Sequence, residues 1–143
     1  MTNKTCELLV IHCLDWRLQS GLHEWLREKG YQGKYDQVAV AGGAKDLVSS
    51  ASAEKKYFLI EQIDNSVFLH NIQKVFLIHH NDCGAYGGRA AFASDTAEKI
   101  AHLTDMEIAQ EIIETKYPQL TVENYYAQLN EDNNEWRVTI ERV

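Results

Sequence analysis

The sequence lacks several features that would direct it to particular classes of protein. The 143-residue chain has a single proline and three cysteines. No apolar run approaches the roughly 20 residues that cross a bilayer, so we expect no membrane partner. An odd cysteine count without a secretory context excludes a disulfide framework and predicts reduced thiols. Because Met1–Lys4 leads into an apolar run without a signal-peptide core, we expect a cytoplasmic protein.

Charge excludes another class of partner. The chain has 14 basic and 21 acidic residues, for a net charge of −7. The basic residues form no cluster, which argues against nucleic acid as a partner. Hydrophobic residues make up 45% of the chain and charged residues 24%, as in ordinary globular proteins. The length suits one core and is short for two, so we expect a single domain over residues 1–143.

Hydrophobic periodicity predicts the element order β-α-β-α-β-α-β-β. The expected strands cover residues 6–13, 37–41, 74–79, 121–129 and 136–143, with a turn at Asn130–Asn134. The expected helices cover 17–29, about 51–71 with Ser49-Ser50 as its cap, and 104–116 starting at Thr104-Asp105. This order indicates an α/β fold with a mostly parallel sheet of four strands, an antiparallel edge strand and flanking helices.

Two short polar segments follow buried strands of this predicted sheet. The first contains Cys13, Asp15 and Arg17, and the second contains His80 and Cys83. In open α/β sheets, sites lie outside the carboxyl ends of the strands, so we expect the two segments to meet there. Two thiolates and one imidazole are a suitable three-ligand set for Zn²⁺ with a fourth position open to water. The sequence therefore predicts a zinc enzyme of the hydrolytic or hydration type.

Asp15 has three open roles at this stage. Residues i and i+2 of an extended stretch face the same side, so a pair with Arg17 is feasible. Asp15 then either accepts a hydrogen bond from zinc-bound water and orients it, or binds zinc itself and closes the site. A third reading makes it the cap of the following helix.

The two segments resemble a known family. Cys-x-Asp-x-Arg, the Ala-Gly-Gly of residues 41–43 and His-x-x-Cys-Gly together resemble the β-class carbonic anhydrases, from Leu8 to Gly84. The resemblance implies a β-carbonic anhydrase-like fold, usually built into a homodimer or higher homo-oligomer with the site near the interface. It also implies a carbonate dehydratase, a zinc lyase that converts CO₂ and water to bicarbonate and a proton by attack of zinc-bound hydroxide.

Carried over residue by residue, the resemblance makes Cys13, His80 and Cys83 the zinc ligands. Asp15 and Arg17 become the dyad that gates the metal. The chain departs from the family pattern in two places. Trp16 stands where the family usually has serine. Ala39-Val40 stand where it often has Arg-Asn.

Three other functions stay open. A related member type hydrolyses carbonyl sulfide or carbon disulfide, so a CO₂ analogue is an alternative substrate. A non-catalytic zinc-binding protein on the same fold is the main alternative outside enzymes, with Asp15 or another group filling the fourth position. A thiol redox protein is a weaker alternative, since Cys13 and Cys83 are expected to meet but form no Cys-x-x-Cys motif.

The remaining candidates are expected to be structural. Cys6 has no partner motif, and we interpret it as a core thiol. His79 should point to the opposite side of its strand from His80, as a packing residue or a proton shuttle. Asp82 lies between two expected ligands and is either a spare ligand or, as we favour, a turn residue, and Arg89 is a candidate substrate contact. His12, adjacent to Cys13, is expected to pack rather than to bind a metal. Three histidines lie in helical regions without ligand spacing and are interpreted as ordinary: His23, His70 and His102.

Overall fold

The computed structural model describes residues 4–49 and 52–143. The strands are β1 (Leu8–His12), β2 (Tyr35–Ala39), β3 (Lys74–His80), β4 (Thr121–Asp132) and β5 (Glu135–Arg142). The helices are α1 (Trp16–Glu28), α2 (Lys45–Val48), α3 (Ala53–His70) and α4 (Asp95–Lys116).

These strands form one sheet in the order β2-β1-β3-β4-β5. The pairs among the first four strands are parallel, and β5 is antiparallel to β4. This arrangement confirms the expected mostly parallel sheet with an antiparallel edge strand. Asn133 and Asn134 connect β4 to β5, both with positive φ, as a two-residue hairpin turn of the primed type requires. The turn is therefore shorter than the predicted 130–134, and β4 is three residues longer.

Each face of the sheet has its own apolar core. Helix α1 covers one face, where Leu18, Leu22 and Leu26 pack on residues of β1, β3 and β4. The other helices cover the opposite face, where Leu59, Ile63 and Met106 are among the buried residues. Because β1 and β3 are covered on both faces, their side chains are almost all buried, which explains their continuous apolar runs.

Two helix starts differ from the sequence predictions. Ser52 caps α3 by accepting a hydrogen bond from the backbone NH of Glu54, whereas Ser49 ends the short helix α2, which was not predicted. Ser50 lies outside the described residues. Helix α4 begins at Asp95 rather than Thr104, and Ser94 caps it through the backbone NH of Ala97. The prediction missed this start because polar and small residues dominate the first turns.

Candidate metal centre

Three potential metal ligands lie together at the carboxyl end of the sheet. Cys13 directly follows β1, His80 is the last residue of β3, and Cys83 lies in the loop after it. Since β1 and β3 are neighbouring parallel strands, their ends deliver these residues to one place. The Sγ atoms of the two cysteines are 3.9 Å apart. One ligand atom from each of the three residues lies within 4.8 Å of the others, and all three residues are buried.

The imidazole of His80 shows most directly that the group fits a metal ion. Its Nδ1 lies 2.6 Å from the carbonyl oxygen of Asn81, to which it donates in the neutral form. This fixes the tautomer and leaves a lone pair on Nε2. That Nε2 atom is buried and has no hydrogen-bond partner. A buried nitrogen lone pair beside two free cysteine sulfurs is a donor set that zinc-class metals accept.

The local electrostatics favour negative charge on one of the two thiols, that of Cys13. The contact with Cys83 lowers the pKa of the Cys13 thiol, and neighbouring His80 also lowers it. The same thiol contact, together with burial, raises the pKa of Cys83. Burial lowers the pKa of His80, but the contacts with the Cys13 sulfur, the Asn81 backbone and the Asp15 charge together raise its pKa overall. Negative charge on Cys13 therefore opposes ionisation of Cys83. A divalent cation would stabilise both thiolates.

Asp15 and Arg17 form a two-point ion pair beside these ligands. The guanidinium Nη2 is 2.8 Å from Asp15 Oδ2, and Nε is 3.1 Å from Oδ1. Asp15 is also the cap of α1, because Oδ1 accepts from the backbone NH of Arg17 at 2.9 Å. The pairing and the capping reading are therefore both correct. The hydrogen bonds from Arg17 lower the pKa of Asp15, whose Oδ2 lies 3.9 Å from His80 Nε2.

Gly42 brings backbone close to the site. Its NH donates to Cys13 Sγ at 3.5 Å. Its φ is +81°, and a Cβ there would lie 3.0 Å from the Cβ atoms of Ala85 and Lys45. Glycine is therefore required both for the backbone conformation and for this close approach.

Comparison with known proteins identifies the family. A family model described as "Putative carbonic anhydrase" matches residues 3–140. The chain belongs to this carbonic anhydrase family. Two curated relatives are an uncharacterised protein of Rickettsia conorii, 28% identical over 117 residues, and one of Rickettsia bellii, 29% identical over 117 residues. Each match covers 80% of this chain, but only 63% of the first relative's length and 71% of the second's.

A solved structure shares the carbonic anhydrase fold. The crystal structure of carbonic anhydrase from Streptococcus mutans aligns over 100% of this chain and 86% of its own, with a TM-score of 0.63. The sequence identity is 14%, so this likeness concerns the fold. Among the described residues, no helix has both the length and the apolar character needed to cross a membrane.

Two further acidic residues, Asp82 and Glu98, support the Asp15–Arg17 pair, and neither was expected from the sequence to do so. Asp82 Oδ2 accepts from Arg17 Nη1 at 3.0 Å, and the Asp82 carbonyl accepts from Nη2 at 3.0 Å. The backbone NH of Asp82 in turn donates to Glu98 Oε2 at 2.9 Å. Glu98 is buried, and its other oxygen has no partner. Asp82 also has a positive φ, which fits the predicted turn role. Its bonds to Arg17 are an addition to that role.

The neighbouring histidines serve packing. His79 points away from the metal centre, with Nδ1 2.9 Å from Nδ1 of His102 and with Nε2 accepting from the backbone NH of Ala44 at 3.1 Å. Burial lowers the pKa of both imidazoles, that of His102 to about 4. His12 is buried and lies 2.7 Å from the Gln37 amide. These neutral, enclosed rings are structural.

Trp16 and Arg89 lie outside the cluster. The Trp16 side chain is 75% exposed, so it does not pack into the core. Arg89 is exposed and pairs with Asp95 at 3.2 Å. Instead, Trp136 of β5 contacts the site, with its ring 5.0 Å from the Arg17 guanidinium.

Proposed function

We propose that this protein is a zinc-dependent carbonic anhydrase that converts CO₂ and water to bicarbonate and a proton. Cys13, His80 and Cys83 would hold the zinc ion. The observation that carries this proposal is the buried His80 Nε2 lone pair aimed into a pair of free thiols. Membership of the carbonic anhydrase family supplies the reaction class.

Zinc in this position would supply a water molecule of lowered pKa as the nucleophile. Asp15 Oδ2 lies on the His80 side of the ligand cluster, 3.9 Å from Nε2. Because its pKa is depressed, this carboxylate is ionised at neutral pH and can only accept hydrogen bonds. We therefore assign Asp15 the role of accepting a hydrogen bond from the nucleophilic water and orienting its oxygen toward CO₂.

Arg17 has the positioning role. Its guanidinium is held at one end by both Asp15 oxygens and at the other by Asp82. Its side chain is only 15% exposed, so these charge-assisted bonds are partly shielded from water. Arg17 thereby keeps the carboxylate out of the metal position and free to accept the bond from water.

A silent zinc site is the alternative that this geometry opposes. That function requires Asp15 or another group to fill the fourth position permanently. Both Asp15 oxygens are instead engaged by Arg17. This pairing supports the proposal that the fourth position is open to water, and with it the enzyme.

Zinc-loaded protein is expected to hydrate CO₂ in a stopped-flow assay from pH 7 to 9, with the rate rising as pH rises. The rise follows from deprotonation of the nucleophilic water. Chelator-treated protein is the blank, and activity should return when Zn²⁺ is restored. Zinc retention without turnover would overturn CO₂ as the substrate. Assays with carbonyl sulfide and carbon disulfide would then separate a related hydrolase from a silent site.

We also propose that the chain forms a homodimer. Trp16 next to the site is 75% exposed, and Phe68 of α3 is 87% exposed, so each is a candidate for burial at an interface between two copies. Sedimentation should give twice the chain mass of 16.4 kDa. Trp16→Asp and Phe68→Asp should each be compared with the parent, because the substitution that produces monomers locates the interface. A monomer at all working concentrations would contradict the proposal.

A further inference from the structure

A second cluster of metal-ligating side chains lies at the other end of the sheet. Cys6 precedes β1, Asp36 is the second residue of β2, and His70 is the last residue of α3. One potential ligand atom from each residue lies within 4.8 Å of the others. We propose that Cys6, Asp36 and His70 form a second zinc site, separate from the centre that contains Cys13.

A hydrogen bond joins two of the three side chains, and the sulfur of Cys6 lies 3.7 Å from the Leu8 carbonyl oxygen. His70 Nδ1 is 2.7 Å from Asp36 Oδ2. The backbone NH of Cys6 donates to the His70 carbonyl at 3.0 Å, which ties the start of β1 to the end of α3. Ser66, one turn earlier on α3, donates its hydroxyl to Asp36 Oδ2 at 2.6 Å. Such an outer hydrogen bond to a carboxylate ligand is the usual support of a metal site.

The chemistry of the set selects zinc. A thiolate, an imidazole and a carboxylate are the three side-chain types that bind Zn²⁺. The thiolate disfavours Mg²⁺ and Ca²⁺, which take oxygen ligands. Zinc requires Cys6 as the thiolate, so binding releases the thiol proton to solvent. The two anionic ligands then balance the charge of the ion.

The cluster is accessible to an incoming ion and to a water ligand. The side chain of His70 is 37% exposed and that of Asp36 is 29% exposed. Both residues, with Ser66, line a cavity of about 200 Å³. This volume is large enough for water molecules. Two of the three proposed ligands, Asp36 and His70, therefore open onto space for a solvent ligand, and Cys6 approaches them from outside this cavity.

The two centres share no ligand. Cys6 and Cys13 flank β1 at opposite ends, and a strand of this length separates them by roughly 20 Å, at about 3.3 Å per residue. Zinc at the second centre would join the segment before β1, the edge strand β2 and helix α3. It should leave the chemistry at the first centre unchanged.

The test counts zinc in full-length protein by elemental analysis after equilibration with Zn²⁺ and removal of the free ion. The parent is expected to hold two zinc ions per chain. Cys6→Ser and His70→Gln should each hold one and keep the parent's CO₂ hydration rate. His23→Gln is the matched control, because His23 is an exposed helical histidine outside both centres, and it should hold two. The second site is overturned if Cys6→Ser and His70→Gln hold as many zinc ions as the parent, whether that number is one or two.

A second arm separates this inference from the proposed function. In a Cys83→Ser background the first centre is disabled. Addition of Zn²⁺ should then raise the thermal midpoint of unfolding, because zinc binds at the second site of the folded protein. That shift should disappear in the Cys6→Ser/Cys83→Ser double variant. A shift that persists in the double variant overturns the second site. This readout involves no activity, so it judges the second site even if CO₂ hydration fails.

Discussion

Replacement of Cys83 by serine is expected to abolish both zinc binding at the first centre and CO₂ hydration. A serine hydroxyl is neutral at working pH, so the centre loses one of its two anionic ligands. Loss of an outer-shell partner alone typically costs 10- to 100-fold in metal affinity, and loss of a direct ligand should cost more than about 100-fold. Isothermal titration with Zn²⁺ and stopped-flow hydration would measure the two effects.

Cys6→Ser is the matched control for this substitution. It makes the same chemical change at a cysteine of this chain that lies at the opposite end of β1, and it should keep full activity. Circular dichroism of Cys83→Ser checks that the buried position, only 1% exposed, tolerates serine. A folded Cys83→Ser protein with the parent's zinc affinity at the first centre and the parent's turnover would show that the ligand assignment is wrong.

The sheet could be predicted from the sequence because its inner strands are covered on both faces. Burial on both sides requires continuous apolar runs at 8–12 and 74–80, and such runs are visible without a structure. The parallel order then fixes which strand ends meet. For that reason the expectation that Cys13 would lie beside His80 and Cys83 needed only the element order.

The helix that completes the site was harder to predict. The first turns of α4 contain mostly small and polar residues, and their capping by Ser94 was missed. Glu98 lies in those first turns, so its bond to the Asp82 backbone could not be anticipated. Only the folded structure shows that this buried glutamate of α4 lies beside the loop after β3 that contains Asp82.

The second cluster illustrates a different limit. Cys6, Asp36 and His70 are at least 30 residues apart in sequence and share no ligand motif. Only the packing of α3 beside the starts of β1 and β2 brings them together. In the sequence His70 lacks ligand spacing and Cys6 has no partner motif, so neither residue indicates a metal site.

Asp15→Asn is expected to lower the turnover number by about 100-fold or more, the range for a side chain that manages a proton in the reaction. The amide keeps the shape and one acceptor oxygen but removes the charge that pairs with Arg17. Turnover number and Michaelis constant should be measured separately, since a role in orienting the nucleophile affects mainly the turnover number.

The pH dependence gives a second readout for Asp15. Arg17 lowers the pKa of this carboxylate below its ordinary value of about 3.9, so it is ionised throughout the assay range. Its pairing therefore stabilises the fold above about pH 4, and this contribution is lost as pH falls through the folded-state pKa.

The negative charge of the Asp15 carboxylate also disfavours deprotonation of the adjacent nucleophilic water. In Asp15→Asn, the midpoint of the remaining activity should move to lower pH.

Asp82→Asn distinguishes two effects of Asp15: its charge beside the nucleophilic water and its ion pair with Arg17. Asp82 also binds the guanidinium, at 3.0 Å, but its side chain is 41% exposed. Exposed ion pairs contribute roughly 0–1 kcal/mol, so this substitution should lower the turnover number by less than about 10-fold and leave the pH midpoint in place. If Asp15→Asn has no larger effect than Asp82→Asn, Asp15 acts only as a partner of Arg17 and as the cap of α1. A large loss with a shifted midpoint, found for Asp15→Asn alone, requires the carboxylate at the reacting water.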